Sequence, residues 1–299
     1  MKLKDLKDVI TFAAFRPEPD DSTAAWVKRF PAKRTLLLNV GKDATSWRVM
    51  DKKGAIGDGG IVEGQIKETL AEMGEEWRSM IDDGWCAVSL NSRFVISLEI
   101  NLSRRQGVEE VLRTNPKAAL GAKAERGKRY GLTHNPESNT SMLLACEEDA
   151  VLKTEALLKE AGFSVGRVCI GVYSMMVDLI GQIQEARQAQ LKEDPDATIG
   201  PILMVAACEG SVCAMSQREE QWLELRSRTD LYTNEDVAPM VDIIRPLVEN
   251  AGSDVHVVFM SDDEGSLFSQ MMSEQMPNIR VSDVSVQNQF WNILTDVSI

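Results

Sequence analysis

The sequence predicts an α/β protein made by duplicating one unit, with a small α+β subdomain inserted into the first half. Three observations carry this. The order strand, strand, strand, helix, strand occurs twice, with starts offset by about 167 to 170 residues in a chain of 299. Each copy opens on an apolar run that turns back at a glycine. The first is TLLLNVGKDATSWRVM, Thr35 to Met50, with its turn at Gly41 to Ala44; the second is ILMVAACEGSVCAMS, Ile202 to Ser216, with Gly210 at its tip. Between the copies, residues 92–165 carry strand and helix patterns of their own. An apolar run, a turn and an alternating run read as a β-hairpin. A glycine-tipped turn with free N–H groups can cradle a phosphate. Two such hairpins facing one another across a cleft would make a nucleotide clamp, with Gly41, Lys42 and Asp43 on one side and Gly210 and Ser211 on the other.

Residues 1–34 form an extension in which Leu3, Leu6, Ile10 and Ala13 recur at helical spacing, so Lys2 to Phe15 reads as a short amphipathic helix stopped by Pro17 and Pro19. It is either a surface tail or a docking helix. After the first hairpin come a turn at Asp51 to Gly54 and a glycine-rich third strand, Ala55 to Val62. A helix from about Gln65 sets Ile66, Leu70, Met73, Trp77 and Met80 on one face, Gly84 closes it, and Trp85 to Leu90 is the next strand. In the second copy the strands are Ile202 to Cys208, Val212 to Ser216 and Gln221 to Arg226. A helix from about Asn234 carries the stripe Val237, Met240, Val241, Ile244, Leu247 and Val248, ends at Gly252 as a C′ glycine, and leads into Val255 to Met260. The insertion offers a strand at Phe94 to Leu102 with Phe94, Ile96, Leu98 and Ile100 on one face, and a short helix around Val108 to Leu112. Residues 115–139 carry Pro116, Pro136 and several glycines, and their basic cluster (Lys123, Arg126, Lys128, Arg129) reads as a solvated face. Strand Thr140 to Cys146, helix Asp149 to Ala161 and strand Ser164 to Ile170 complete the subdomain, and a long helix, Tyr173 to Lys192, crosses to the second copy. The expected domains are 35–91 with 166–195, the insertion 92–165, and 196–299.

Composition narrows the function. A net charge of −13 argues against nucleic acid and against an anionic membrane surface as direct partners. No run approaches the length that spans a bilayer, and no secretory signal opens the chain, so a cytoplasmic protein is expected. The five cysteines are scattered in apolar runs and read as small buried hydrophobes. With only His134 and His256, the sequence offers neither a zinc site nor a Ser-His-Asp triad.

The duplicated order with an α+β insertion resembles the actin-like (ribonuclease H-like) ATPase fold. Within it, the run MLLACEEDAVLKTEALLKEAGFSVGRVCIGVYSMMVDL, Met142 to Leu179, is similar to the PilM family of type IV pilus assembly proteins. The cytoplasmic module of the GspL secretion proteins is similar too. The resemblance implies an ATP and Mg²⁺ site, and this sequence departs from it. The Asp-x-Gly of the first hairpin is Asn39-Val40-Gly41, that of the second is Cys208-Glu209-Gly210, the family's lysine position is Ser46, and the crossover helix has Val172 where an acid is expected. The glycine run near adenosine is Ser261-Asp262-Asp263-Glu264-Gly265, in which Asp262 and Asp263 are expected to cap a helix from about Glu264 to Met276. The expectation is therefore a nucleotide-free scaffold with no catalytic residue, no metal and no cofactor. If the cleft still binds ATP and Mg²⁺, Gly41, Lys42, Asp43, Gly210, Ser211 and Gly265 would hold it, and the protein would be an atypical ATPase or small-molecule kinase. The resemblance also implies a partner: a peptide from a PilN-like inner-membrane protein, bound beside Phe94, Ile96, Leu98 and Ile100, that keeps the protein peripheral to the membrane without inserting it.

Overall fold

Strand β1 (Thr35–Val40) is buried along its whole length, and an apolar run covered on both faces belongs in the middle of a sheet. The computed structural model places it there. It describes residues 33–82, 84–90, 95–100, 111–112, 114–134, 141–196, 200–208, 210–218, 221–231, 237–252, 254–262, 270 and 274–295. The described residues of Met1–Ser89, Glu155–Cys169 and Trp291–Ile299 form one compact unit, and those of Leu90–Thr154 and Ile170–Phe290 another.

In the first unit, β1 pairs antiparallel with β2 (Ala44–Met50), and β2 with β3 (Ile56–Glu63). With β4 (Trp85–Leu90) and β8 (Ser164–Ile170) the sheet order is β3-β2-β1-β4-β8. Helix α1 (Ile66–Met80) starts where Glu68 reaches back to accept a hydrogen bond from the Gln65 N–H at 3.0 Å, half of a capping box. Leu70 and Trp77 of its expected stripe are buried, and the Trp77 ring lies 5.9 Å from that of Trp47 on β2. The chain re-enters the sheet through Gly84, at φ +69°, whose carbonyl accepts from Ser164 N–H at 2.8 Å. Ser164 to Ile170, which straddles the expected boundary between residues 165 and 166, is thus the fifth strand of the first sheet. A helix absent from the sequence reading, α6 (Gln289–Thr295), buries Trp291, Ile293 and Leu294. Arg167 of β8 donates to its open carbonyls at Ile293 (3.1 Å) and Leu294 (2.9 Å), and the Arg48 guanidinium lies 5.2 Å from the Trp291 ring centroid.

The second unit repeats the order. Strand β9 (Ile202–Cys208) is central, with β10 (Gly210–Arg218) and β11 (Gln221–Leu231) to one side. On the other side are β12 (His256–Ser261) and β13 (Arg280–Asp283), both parallel. Helix α5 (Val237–Ala251) packs Val241, Ile244, Leu247 and Val248 onto Leu203, Val205, Val257 and Phe259. The long helix α4 (Gly171–Glu193) packs on β9 and β10. Central first strand, hairpin strands on one side, later strands on the other, in both halves: this is the duplicated α/β actin-like fold.

The same unit holds a three-stranded antiparallel sheet in the order β5-β7-β6, made of β5 (Val95–Ile100), β6 (Lys128–His134) and β7 (Ser141–Glu147). Leu143 of β7 packs with Leu112, beside Leu120 of α2 (Pro116–Leu120) and Tyr130. β6 lies within residues 115–139, where the sequence showed no strand pattern. Lys128 and Arg129 sit on a strand next to β7, where they pair with Glu147 and Glu148 at the start of α3 (Glu148–Glu160). The amphipathic Lys2–Phe15 pattern and Phe94 lie outside the described residues.

Candidate functional site

The first hairpin closes tightly. Val40 pairs with Thr45, and the Gly41 N–H donates to Ala44 O at 2.9 Å, leaving a two-residue tip of Lys42 and Asp43. Behind the tip, Asp43 O accepts from Gly64 N–H at 2.8 Å, which pins the turn to the end of β3. The Gly41 N–H, expected to be available to a phosphate, is thus used by the turn itself. Gly41 is buried and is not among the glycines at positive φ. Lys42 and Asp43 are exposed, with Nζ and Oδ2 3.9 Å apart. Asn39 is 3% exposed on β1, opposite Ser46. The hydroxyls of Thr45 and Ser46 are buried without a hydrogen-bond partner among the described residues.

The second hairpin is built differently. Gly210 takes φ +77°, a conformation that glycine adopts at no steric cost, and β10 shifts register against β11 just after it. Ser211 pairs with Cys208, and both side chains are buried. The Ser211 hydroxyl has no hydrogen-bond partner among the described residues. Glu209 lies outside them, as does Gly265. Val172, near the start of α4, is fully buried.

Asp262, just after β12, has a structural task that no local pattern in the sequence signals. Asp262 Oδ1 accepts from Phe290 N–H at 2.7 Å, and Asp262 O from Asn288 N–H at 3.1 Å. Asp262 therefore caps α6; Asp263 and the start of the helix expected from about Glu264 lie outside the described residues. Ser261 donates through its N–H to Ser285 Oγ at 2.8 Å, so this strand end is tied to residues 283–290. No local pattern signals either link, because each spans more than twenty residues of chain.

All five cysteines are buried free thiols, as expected. Burial pushes the Cys86 thiol up to about 12, which keeps it protonated and unreactive at neutral pH. Burial also raises the Cys213 thiol and the Tyr173 phenol, whose OH meets Ser227 Oγ at 3.0 Å. Among the described residues no three His, Cys, Asp or Glu side chains stand together as a metal set, and no described helix is long and apolar enough to cross a membrane. On β5, Ile96, Leu98 and Ile100 face Ala145, Leu143 and Ser141 in the β5–β7 register, and β5 has no strand on its other side among those described.

No protein-family model matches the chain, and no curated protein does. Solved structures align with most of its length. A PilM–PilN type IV pilus biogenesis complex aligns at TM-score 0.48 and 15% identity, over 89% of this chain and 98% of that one. The cytoplasmic domain of EpsL, an inner-membrane component of the Vibrio cholerae type II secretion system, aligns at 0.46 and 12%, over 88% and 93%. A Bacteroides thetaiotaomicron protein with an actin-like ATPase fold and unknown function aligns at 0.44 and 8%, over 84% and 91%.

Proposed function

We propose that this protein is a nucleotide-free, actin-fold scaffold of a type IV pilus or secretion-like machine, PilM-like in kind. In this reading it works in the cytoplasm, held at the inner membrane by the N-terminal peptide of a PilN-like single-span protein. The observation that carries the reading is the chemistry of the two hairpins. Asn39, Cys208 and Val172 are buried and uncharged where the family resemblance expects carboxylates. Phosphate-bridging Mg²⁺ needs hard anionic oxygen ligands, and these positions supply none. The donor set of the first turn also fits a triphosphate poorly, since its Gly41 N–H is already spent on Ala44 O.

For the partner, the support is β5. Its outer main chain has no described strand beside it, and an extended peptide can add there through backbone hydrogen bonds, with alternate residues giving specificity. Ile96, Leu98 and Ile100 are the positions assigned to that contact.

The second reading, an atypical ATPase or kinase, draws on one specific observation: the buried Ser211 hydroxyl at the second hairpin has no partner among the described residues. Calorimetric titration with ATP and Mg²⁺ separates the two. The scaffold reading expects no saturable heat. A micromolar dissociation constant that is lost in Gly210→Trp would overturn it. The partner is tested separately, by titrating N-terminal peptides of neighbouring single-span proteins against the full chain and against the chain without residues 1–34. Saturable binding lost on Ile96→Glu and Leu98→Glu, in folded variants, is expected. No binding by any peptide removes the tether but leaves the nucleotide result standing.

A further inference from the structure

The second sheet has an opening at the end away from its hairpin. Ile202 on β9, His256 and Val258 on β12, and Arg280 and Ser282 on β13 alternate onto one face. The opposite face is the core under α5. On the first face α4 covers β9 and β10. Between the sheet and the α4 stripe Leu179, Ile183 and Ala186 there remains a cavity of ≈ 570 Å³. That volume lies within the range of about 300–1,000 Å³ typical of small-molecule sites. All of its lining residues belong to one compact unit. Ile202 opens β9 and Cys208 closes it, so cavity and hairpin stand about 20 Å apart, at ~3.3 Å per residue.

The charges of the lining stand apart from one another. The register sets Gln217, Ile202, His256 and Arg280 in one row across β10, β9, β12 and β13. Arg187 is tied to the Gln217 end of that row, donating from Nη1 to Oε1 at 3.2 Å. Arg280 is exposed at the other end, three strands or about 14 Å away at ~4.8 Å per strand. Asp254 has a partner of its own. Between these lie aliphatic Leu179, Ile183, Ile202 and Val258 and one polar pair. In that pair His256 Nε2 lies 2.9 Å from Ser282 Oγ. Burial and the nearby Arg280 lower the His256 pKa, so the imidazole is neutral at physiological pH. In one tautomer Ser282 donates to Nε2 and the Nδ1 proton is left over; in the other Nε2 donates to Ser282 and the hydroxyl proton is left over. Either way the pair keeps one donor with no acceptor among the described residues.

A charged head entering here would give up its water for, at best, one solvent-screened guanidinium. An uncharged oxygen loses less and can accept from the spare donor. We propose that this cavity binds a small uncharged molecule with a short aliphatic body and one hydrogen-bond acceptor, a carbonyl or ether oxygen, set against His256 and Ser282. The body lies along Leu179, Ile183 and Val258. The proposal stands apart from the scaffold reading, because it uses none of the hairpin or β5 residues.

The test is calorimetry and NMR on the full chain with three probes of one chain length: octan-2-one, octanoate and octylammonium. The chain has two histidines, so the His134 imidazole is an internal control for that of His256. Two variants accompany it: Ala186→Trp, at an exposed position of α4, to fill the space, and Ser282→Ala, to remove half of the polar pair. The expected result is saturable one-to-one binding of octan-2-one, at least about tenfold tighter than either ion. The ketone should shift the His256 ring signals and leave those of His134 in place. Binding should vanish in Ala186→Trp and weaken about fivefold in Ser282→Ala, with each variant shown to be folded by its melt. Either ion binding as tightly as the ketone would overturn the proposal. So would unmoved His256 signals, an affinity unchanged in either variant, or no saturation by the ketone at millimolar concentration.

Discussion

The two halves agree at one kind of turn and disagree at another. Between helix and returning strand, Gly84 and Gly252 sit at matching places and both take positive φ, +69° and +100°. At the hairpin tips the match fails. Gly210 is left-handed at +77°, whereas Gly41 is not and the tip residues are Lys42 and Asp43. The helix-to-strand turn is dictated by packing, since a helix laid on a sheet must reverse within a few residues and only glycine reverses that way without strain. The hairpin tip carries no such packing duty. The two tips are accordingly built differently, over Asn39 in one half and Cys208 in the other.

The largest expected effect comes from placing a charge beneath the first hairpin. Asn39→Asp puts a carboxylate at a position 3% exposed. Without a bound cation this should cost about 3 kcal/mol near neutral pH, in line with the several kcal/mol of an incompletely compensated buried ion. The sign follows from desolvation, which raises the carboxyl pKa in the folded state. Stability is then full below the ordinary Asp value of about 3.9 and is lost as pH rises through the raised folded value. Thermal melts at acidic and neutral pH should show the variant falling behind the parent only at neutral pH. Recovery of the melting temperature on adding Mg²⁺ would mean that the first hairpin can hold a cation, and would count against the nucleotide-free reading.

Next is the shared turn. In Gly84→Ala the new Cβ would lie 2.9 Å from Gly162 O, in a backbone already at φ +69°. A cost of about 2 kcal/mol or more is expected. Gly252→Ala should cost about 1–2 kcal/mol from conformation alone. Denaturant melts in which either substitution is silent would show that the turns are not the fixed points of the repeat.

Gly210→Ala tests the disagreement. The left-handed conformation should cost about 1–2 kcal/mol for alanine and less for Gly210→Asn, because asparagine tolerates that region. Equal losses for both would point to crowding at the second hairpin instead of backbone strain.

The legibility of the chain follows the same division. β1, β9 and β12 were readable because a doubly covered strand is an unbroken apolar run, and α1 and α5 because one buried face leaves a stripe. β6, KRYGLTH, was not, since its charges read as surface until Glu147 and Glu148 are seen beside them. β13 has four residues, two of them charged, and α6 has seven, too few for a period to emerge. What fixes α6 is remote: Asp262 at its start and Arg167 at its carbonyl end. At the candidate site the residue types were legible, but the commitment of the Gly41 N–H to Ala44 was not, because it depends on the hairpin register.

The smallest expected effect is at the first tip, and it bears most directly on function. The Lys42 and Asp43 charges are 3.9 Å apart and 55% and 65% exposed. An exposed pair at that separation contributes little, because water screens it and two side chains must be ordered to form it. The turn itself is held by main chain, Gly41 N–H to Ala44 O and Gly64 N–H to Asp43 O, and neither bond involves these side chains. Lys42→Ala and Asp43→Asn should therefore each change stability by less than about 0.5 kcal/mol, with no coupling between them in a double-mutant cycle. A working phosphate clamp behaves differently. There, ATP with Mg²⁺ would raise the parent's melting temperature, and Lys42→Ala would abolish the rise while leaving the nucleotide-free melt unchanged. Melts of parent and both variants, with and without nucleotide, decide between a tip that is only a turn and one that still grips a phosphate.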